Sequence, residues 1–136
     1  MSILIDTNAY SEYYRGDIYI KREIDQSEEI FMSTVVLGEL MYGFKRGIKE
    51  MENIGDLKIF INNPKVRILQ LSPHASRNYA ELKYQLKKKG KLIPENDIWI
   101  AAQGMETRVM LVTYDSHFLE VSGLKVWERL SLGSRK

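Results

Sequence analysis

The sequence predicts an α/β fold: a central, mostly parallel β-sheet of about five strands flanked by helices. Three observations carry that prediction. Apolar runs without alternation occur at 3–5 and 109–112, as expected of strands buried on both faces of a parallel sheet. Segments with apolar residues at helical spacing separate the strand candidates, so strands and helices alternate along the chain. No repeat, low-complexity segment or linker interrupts the 136 residues. A chain of that length reads as one domain, with a core over 3–127 and a short C-terminal tail over 128–136.

Ile3, Leu4 and Ile5 form the first strand, with Asp6 at its C-terminal end. Asp6, Thr7 and Asn8 are helix-initiating residues, and a first helix runs to the stop at Arg15-Gly16. A second helix follows over about 17–27, and a second strand over 29–33. Val36, Leu37, Leu40, Met41 and Phe44 then mark an amphipathic helix that carries Glu39 and ends at Gly47. The segment 48–62 is a weaker helical pattern, interrupted at Gly55 and closed by Pro64. Residues 66–71 alternate as a strand does. Ser72-Pro73 supplies an N-cap with proline at the first helical position, and Ala75, Tyr79, Leu82 and Leu86 form the buried stripe of that helix. After Lys87-Lys88-Lys89-Gly90, Pro94-Glu95-Asn96 starts a helix whose Ile98, Ala101, Ala102 and Met105 share a face, with Asp97 in its first turn. The strand at 109–112 ends in Thr113-Tyr114-Asp115, and 124–127 is the last strand candidate.

Composition narrows the chemistry. With no cysteine there is no disulfide framework, thiolate zinc site, iron–sulfur cluster or Cys nucleophile, and His74 and His117 alone make no His-rich metal site. Both histidines read as structural or surface residues. The opening residues lack a basic segment followed by a signal-length apolar run, and nothing reaches the roughly 20 apolar residues of a membrane span. The expectation is a soluble, cytoplasmic protein. Its net charge of +2 names no partner by itself.

The acids fall in informative places. In open α/β sheets, ligands bind outside the carboxyl ends of the strands, and the two clearest strands deliver Asp6 and Asp115 there. Each Asp also caps a following helix well, so one carboxylate alone decides nothing. Glu39 borders the apolar stripe of its helix; taken alone, it reads as a boundary residue whose carboxylate reaches solvent. Asp97 has the plain alternative of a first-turn Asp favoured by the helix dipole. Four carboxylates share one pocket only if something neutralises them, because like charges repel and raise one another's pKa. A hard divalent cation such as Mg²⁺ takes oxygen ligands and does that. Removing these four acids from the 18 leaves 14 against 20 basic residues, a surface that attracts a polyanion. Metal and polyanion together point to phosphodiester chemistry.

These segments resemble the acidic motifs of the PIN-domain ribonucleases, and especially of the VapC-type toxins of type II toxin–antitoxin pairs. Ile3-Leu-Ile-Asp-Thr-Asn8 resembles the first motif and Ser33-Thr-Val-Val-Leu-Gly-Glu39-Leu-Met-Tyr-Gly43 the second. Asn96-Asp97-Ile-Trp-Ile-Ala-Ala102 resembles the third, and Leu111-Val-Thr-Tyr-Asp115-Ser-His-Phe118 the fourth, before a final strand through Val126-Trp127. The fourth motif varies most in the family. The resemblance implies a PIN-like fold in which Asp6, Glu39, Asp97 and Asp115 are the acidic metal site, with Thr7, Asn8 and Thr113 close enough to orient ligands or water. It implies a metal-dependent endoribonuclease, using Mg²⁺ with Mn²⁺ as a possible substitute, that leaves 5′-phosphate and 3′-hydroxyl ends. It also implies a homodimer and a cognate VapB-like antitoxin that reaches the active site.

On that reading, Asp6 and Asp97 would hold the metal directly, Glu39 would orient or deprotonate the attacking water, and Asp115 would complete the site either as a further ligand or from behind the ligands. A mechanism run by His74 and His117 would instead need no metal and leave a cyclic phosphate. Tyr13, Tyr14, Arg15, Lys45 and Arg46, with Tyr42 and Phe44, offer positive charge and stacking faces near Asp6 and Glu39, and are candidates for RNA binding. The basic run from Lys87 to Lys91 is read as a solvated helix end favoured by the dipole. Met41, Tyr42, Phe44, Met51 and Ile54 feed either the core or an apolar face for an antitoxin helix. Two other classes share the alternation: a receiver-like Mg²⁺-binding phosphoacceptor domain, and a PIN-like binding module without catalysis.

Overall fold

The computed structural model of the chain describes residues 1–131. Four parallel strands, β1 (Ser2–Ile5), β2 (Glu29–Ser33), β3 (Val66–Leu69) and β4 (Met110–Val112), form one sheet in the order β3-β2-β1-β4. Seven helices accompany them: α1 (Thr7–Tyr14), α2 (Ile18–Gln26), α3 (Thr34–Arg46), α4 (Glu50–Ile61), α5 (Pro73–Lys88), α6 (Glu95–Thr107) and α7 (Glu128–Ser131). A 3-10 turn, Ser116–Glu120, follows β4. Ile3, Leu4 and Ile5 are all fully buried; because successive strand residues point to opposite faces, both faces of β1 are covered.

Short polar caps set the helix starts. Asp6, Asp17, Ser33 and Ser72 each accept a backbone N–H of the following helix through the side chain. The α4 helix runs through Gly55 without interruption, because the glycine is exposed and its cost of about 1 kcal/mol does not break a helix. It rests on α1 through Phe60, which meets Tyr10 edge-on at 5.1 Å and Tyr13 at 5.6 Å. The α6 helix is buried almost all round, with Ile98, Ile100, Ala101, Ala102, Gln103 and Gly104 inaccessible. A Cβ on Gly104 would stand 2.7 Å from Leu124 Cδ1, so glycine lets the helix approach that side chain.

The sheet corrects the expectation of about five strands. Residues 124–127 contribute one parallel bridge, Val126 beside Leu111, held by Leu111 N–H to Lys125 O at 2.8 Å and Trp127 N–H to Leu111 O at 2.9 Å. The turn at Gly123, whose φ of +85° suits glycine, and the start of α7 at Glu128 leave no length for a longer ladder. The tail expected from residue 128 begins with α7, whose Leu130 is buried, while 132–136 lie outside the described residues. Among the described residues, no helix is long and apolar enough to cross a membrane.

Candidate active site

The strand order places the site. The chain leaves β1 for β2 and β3 on one side, then returns to add β4 on the other, so a crevice opens at the carboxyl ends of β1 and β4. Ile5 is in register with Val112, and the next residues, Asp6 and Thr113, meet above the sheet. Thr113 Oγ1 donates to Asp6 Oδ2 at 2.5 Å, while Asp6 Oδ1 accepts the Ala9 N–H at 2.9 Å as the cap of α1. Capping and site-building are therefore one arrangement for Asp6.

Three other elements converge on the same crevice. Glu39 comes from the second turn of α3, and its two carboxylate oxygens accept hydrogen bonds from Thr7 Oγ1 and, at 3.1 Å, from Asn96 Nδ2. Asp97 comes from the first turn of α6. Asp115 caps the 3-10 turn through the His117 N–H at 3.0 Å, and its own N–H donates to Thr113 Oγ1 at 2.9 Å. Asp6, Glu39, Asp97 and Asp115 line one cleft of about 450 Å³, with Thr7 and Asn8 on its wall. All four acids singled out in the sequence thus meet.

The electrostatics follow from burial and crowding. Desolvation pushes the Asp6 carboxyl up to about 7, against the hydrogen bonds from Thr113 and Ala9, with Asp97 and Asp115 pushing further upward. Asp97 rises to about 6, first from burial and then from the Asp115 charge, with His117 pulling the other way. Oxygen donors crowded until their ionised forms repel one another suit a divalent cation, whose charge removes that repulsion.

Two site residues were not expected. His117, read as structural or surface, places Nδ1 3.0 Å from Asp115 Oδ1 and 3.5 Å from Asp97 Oδ2. Asn96 fixes Glu39 from a different helix. The closeness of Asn96 to Asp97 and of His117 to Asp115 in sequence was the available signal. A second cleft of about 530 Å³ between α1, α3 and α4 shares Thr7, Glu39 and Arg46 with the first. Of the RNA-binding candidates, Tyr14, Arg15 and Arg46 line it. Tyr13 packs on Phe60, and Lys45 pairs with Glu50 at 3.2 Å. Tyr42 lies in the acidic cleft with the Arg46 guanidinium 5.0 Å from its ring centroid.

Acids gathered after β1, on α3 and α6 and after β4, over a parallel sheet, are the arrangement of a metal-binding α/β domain, the class to which metal-dependent phosphodiester-cleaving enzymes belong. The family model of the PIN domain matches residues 3–124. The ribonuclease VapC2 of Rickettsia felis is 31% identical over 117 residues, covering 83% of this chain and 86% of that protein. The VapC ribonuclease Y4jK of Sinorhizobium fredii is 30% identical over 140 residues, covering 93% and 98%. The crystal structure of VapBC2 from Rickettsia felis bound to a DNA fragment from its promoter superposes with a TM-score of 0.84, at 26% identity over 93% of this chain and 98% of that one. The chain belongs to the PIN-domain family, among the VapC-type ribonucleases. The receiver-like alternative is thereby excluded.

Proposed function

We propose that this protein is a metal-dependent endoribonuclease that acts as the toxin of a toxin–antitoxin pair, through a single PIN-like domain. The observation that carries the reading is the convergence of Asp6, Glu39, Asp97 and Asp115 in one cleft, in a chain about 30% identical to VapC ribonucleases along most of its length. Asp6, Asp97 and Asp115 would hold a divalent cation, Mg²⁺ with Mn²⁺ as a substitute. Such an ion would supply a water of lowered pKa and would offset charge at the phosphate under attack.

The chain's own residues do the rest. Glu39, fixed through both oxygens by Thr7 and Asn96, takes a proton from the attacking water at its carboxylate. Thr113 holds Asp6 in place by its hydroxyl, so the carboxylate needs no reorganisation when it binds. Arg46, common to both clefts, meets a phosphate of the RNA strand, and Tyr14 and Tyr42 offer faces for its bases. The proposed place of action is the cytoplasm, where cellular RNA would be the substrate.

A VapB-like antitoxin and a second copy of the chain are the proposed partners. Met41, Tyr42 and Met51 are 44%, 65% and 83% exposed, so the apolar residues of α3 and α4 are divided between the core and an open face. The test is cleavage of end-labelled RNA by antitoxin-free protein with Mg²⁺, Mn²⁺ or EDTA, beside Asp97→Asn. Metal-dependent cutting to 5′-phosphate ends that disappears in the variant is the expected result. Cutting that survives both EDTA and the substitution overturns the reading, and a protein that binds RNA without cutting any is the non-catalytic module.

A further inference from the structure

The acidic cleft contains a nitrogen donor. His117 Nδ1 lies within hydrogen-bonding distance of Asp115 and close to Asp97, and these three residues bring ligand atoms within 4.8 Å of one another. Donors around one first-row ion, each at about 2.0–2.2 Å, stand at most a little over 4 Å apart. A small closing movement therefore brings the three onto one ion. The ring is well placed for it: the His117 backbone N–H donates to Asp115 Oδ1 at 3.0 Å, and the adjoining Phe118 is fully buried, anchoring the 3-10 turn. The imidazole itself is half exposed, so it turns without disturbing the core.

We infer that His117 Nδ1 is a metal ligand completing an Asp97, Asp115 and His117 donor set, and that this nitrogen makes the cleft prefer first-row transition ions to Mg²⁺ on a per-ion basis. The inference rests on the metal-dependent reading above and sharpens it. Carboxylates alone suit Mg²⁺, which demands hard oxygen donors and keeps its waters. An imidazole adds affinity for transition ions and little for Mg²⁺. Mg²⁺ then fills the site only through abundance.

The sequence makes the test clean. The chain has two histidines, and His74, in the first turn of α5, lies beside Glu106 at 4.0 Å and outside the cleft. Tag-free, metal-stripped full-length protein is titrated with Mn²⁺ in a nitrogen-free buffer, with bound Mn²⁺ read by electron paramagnetic resonance and imidazole ligation by its ¹⁴N spin-echo modulation. Mg²⁺ affinity is read by competition. The wild type is expected to show ¹⁴N coupling that persists in His74→Gln and vanishes in His117→Gln. In His117→Gln, Mn²⁺ affinity should fall about tenfold or more, while Mg²⁺ affinity changes less than about twofold. Mn²⁺ that binds the wild type tightly and is lost in Asp97→Asn, but shows no ¹⁴N coupling, overturns the inference and leaves the metal-dependent reading standing. Wild-type protein that binds no Mn²⁺ overturns both.

Discussion

Thr113 Oγ1 receives the Asp115 N–H at 2.9 Å and donates to Asp6 Oδ2 at 2.5 Å, so one hydroxyl joins the ends of β4 and β1 and positions two acids. Its location is fixed by sheet register, because Ile5 pairs with Val112 and the following residues stand side by side. Thr113→Val keeps the shape but deletes the hydroxyl. The loss leaves the Asp115 N–H and a buried carboxylate oxygen without that partner, a penalty of about 1–3 kcal/mol. Thermal unfolding should drop by several degrees and Mn²⁺ affinity about tenfold, with Thr113→Ser recovering most of both. A Val variant as stable and as metal-binding as the wild type would remove Thr113 from the site.

Without metal, the contribution of Asp6 and Asp97 to stability should fall as pH rises from about 4 to about 7. Asp6 and Asp97 titrate near 3.8 in the unfolded chain and at about 7 and about 6 in the fold. Between those limits the folded protein holds protons at Asp6 and Asp97 that the unfolded chain has released, so the contribution of these two groups to stability is fullest below about pH 4 and is lost on the way up to about pH 7. Melting in EDTA across that range should show the decline, with a shallower slope for Asp97→Asn. At pH 8 the metal-free variant should melt a few degrees above the wild type while cutting no RNA, because the amide carries no charge to repel Asp115. Saturating Mn²⁺ should stabilise the wild type and not the variant.

Much of this site was legible before folding because its acids are tied to local features. Asp6 and Asp115 close apolar strands, Glu39 borders an apolar stripe, and Asp97 sits in a first helical turn. What stayed hidden depends on contacts between distant segments. His117 resembles any turn histidine until the 3-10 turn lays it against Asp97 of α6. Asn96 has no local reason to reach Glu39. The fifth strand was overestimated because an apolar segment of strand length pairs through a single bridge when a turn and a helix hem it in. The α6 helix carries more buried residues than one apolar face predicts, because Gly104 approaches Leu124 while Asn78 of α5 bonds Ala102 O at 3.2 Å on another side.

A stability gain is available outside the site. Arg108 ends α6 in the left-handed conformation at φ +58°, is exposed, and is the described non-glycine residue with positive φ. A side chain there costs about 1 kcal/mol relative to glycine. Arg108→Gly should raise the melting temperature by a few degrees and leave RNA cleavage unchanged.

The two clefts make a directional prediction about RNA. Arg46 lines both, whereas the basic run at the end of α5 lines neither, and its Lys89 Nζ is bonded to Glu120 O at 2.6 Å. If the strand passes from the Tyr14 groove to the acids, Arg46 contacts a phosphate at the junction. Binding of a single-stranded RNA to the non-cleaving Asp97→Asn protein, followed by fluorescence anisotropy over a salt series, reads this directly. Adding Arg46→Ala should weaken binding about tenfold and reduce the salt slope by about 0.7, the share of one phosphate contact. Charge reversal of Lys87, Lys88 and Lys89 should leave the slope unchanged. The opposite pattern would route the strand over α5, away from both clefts.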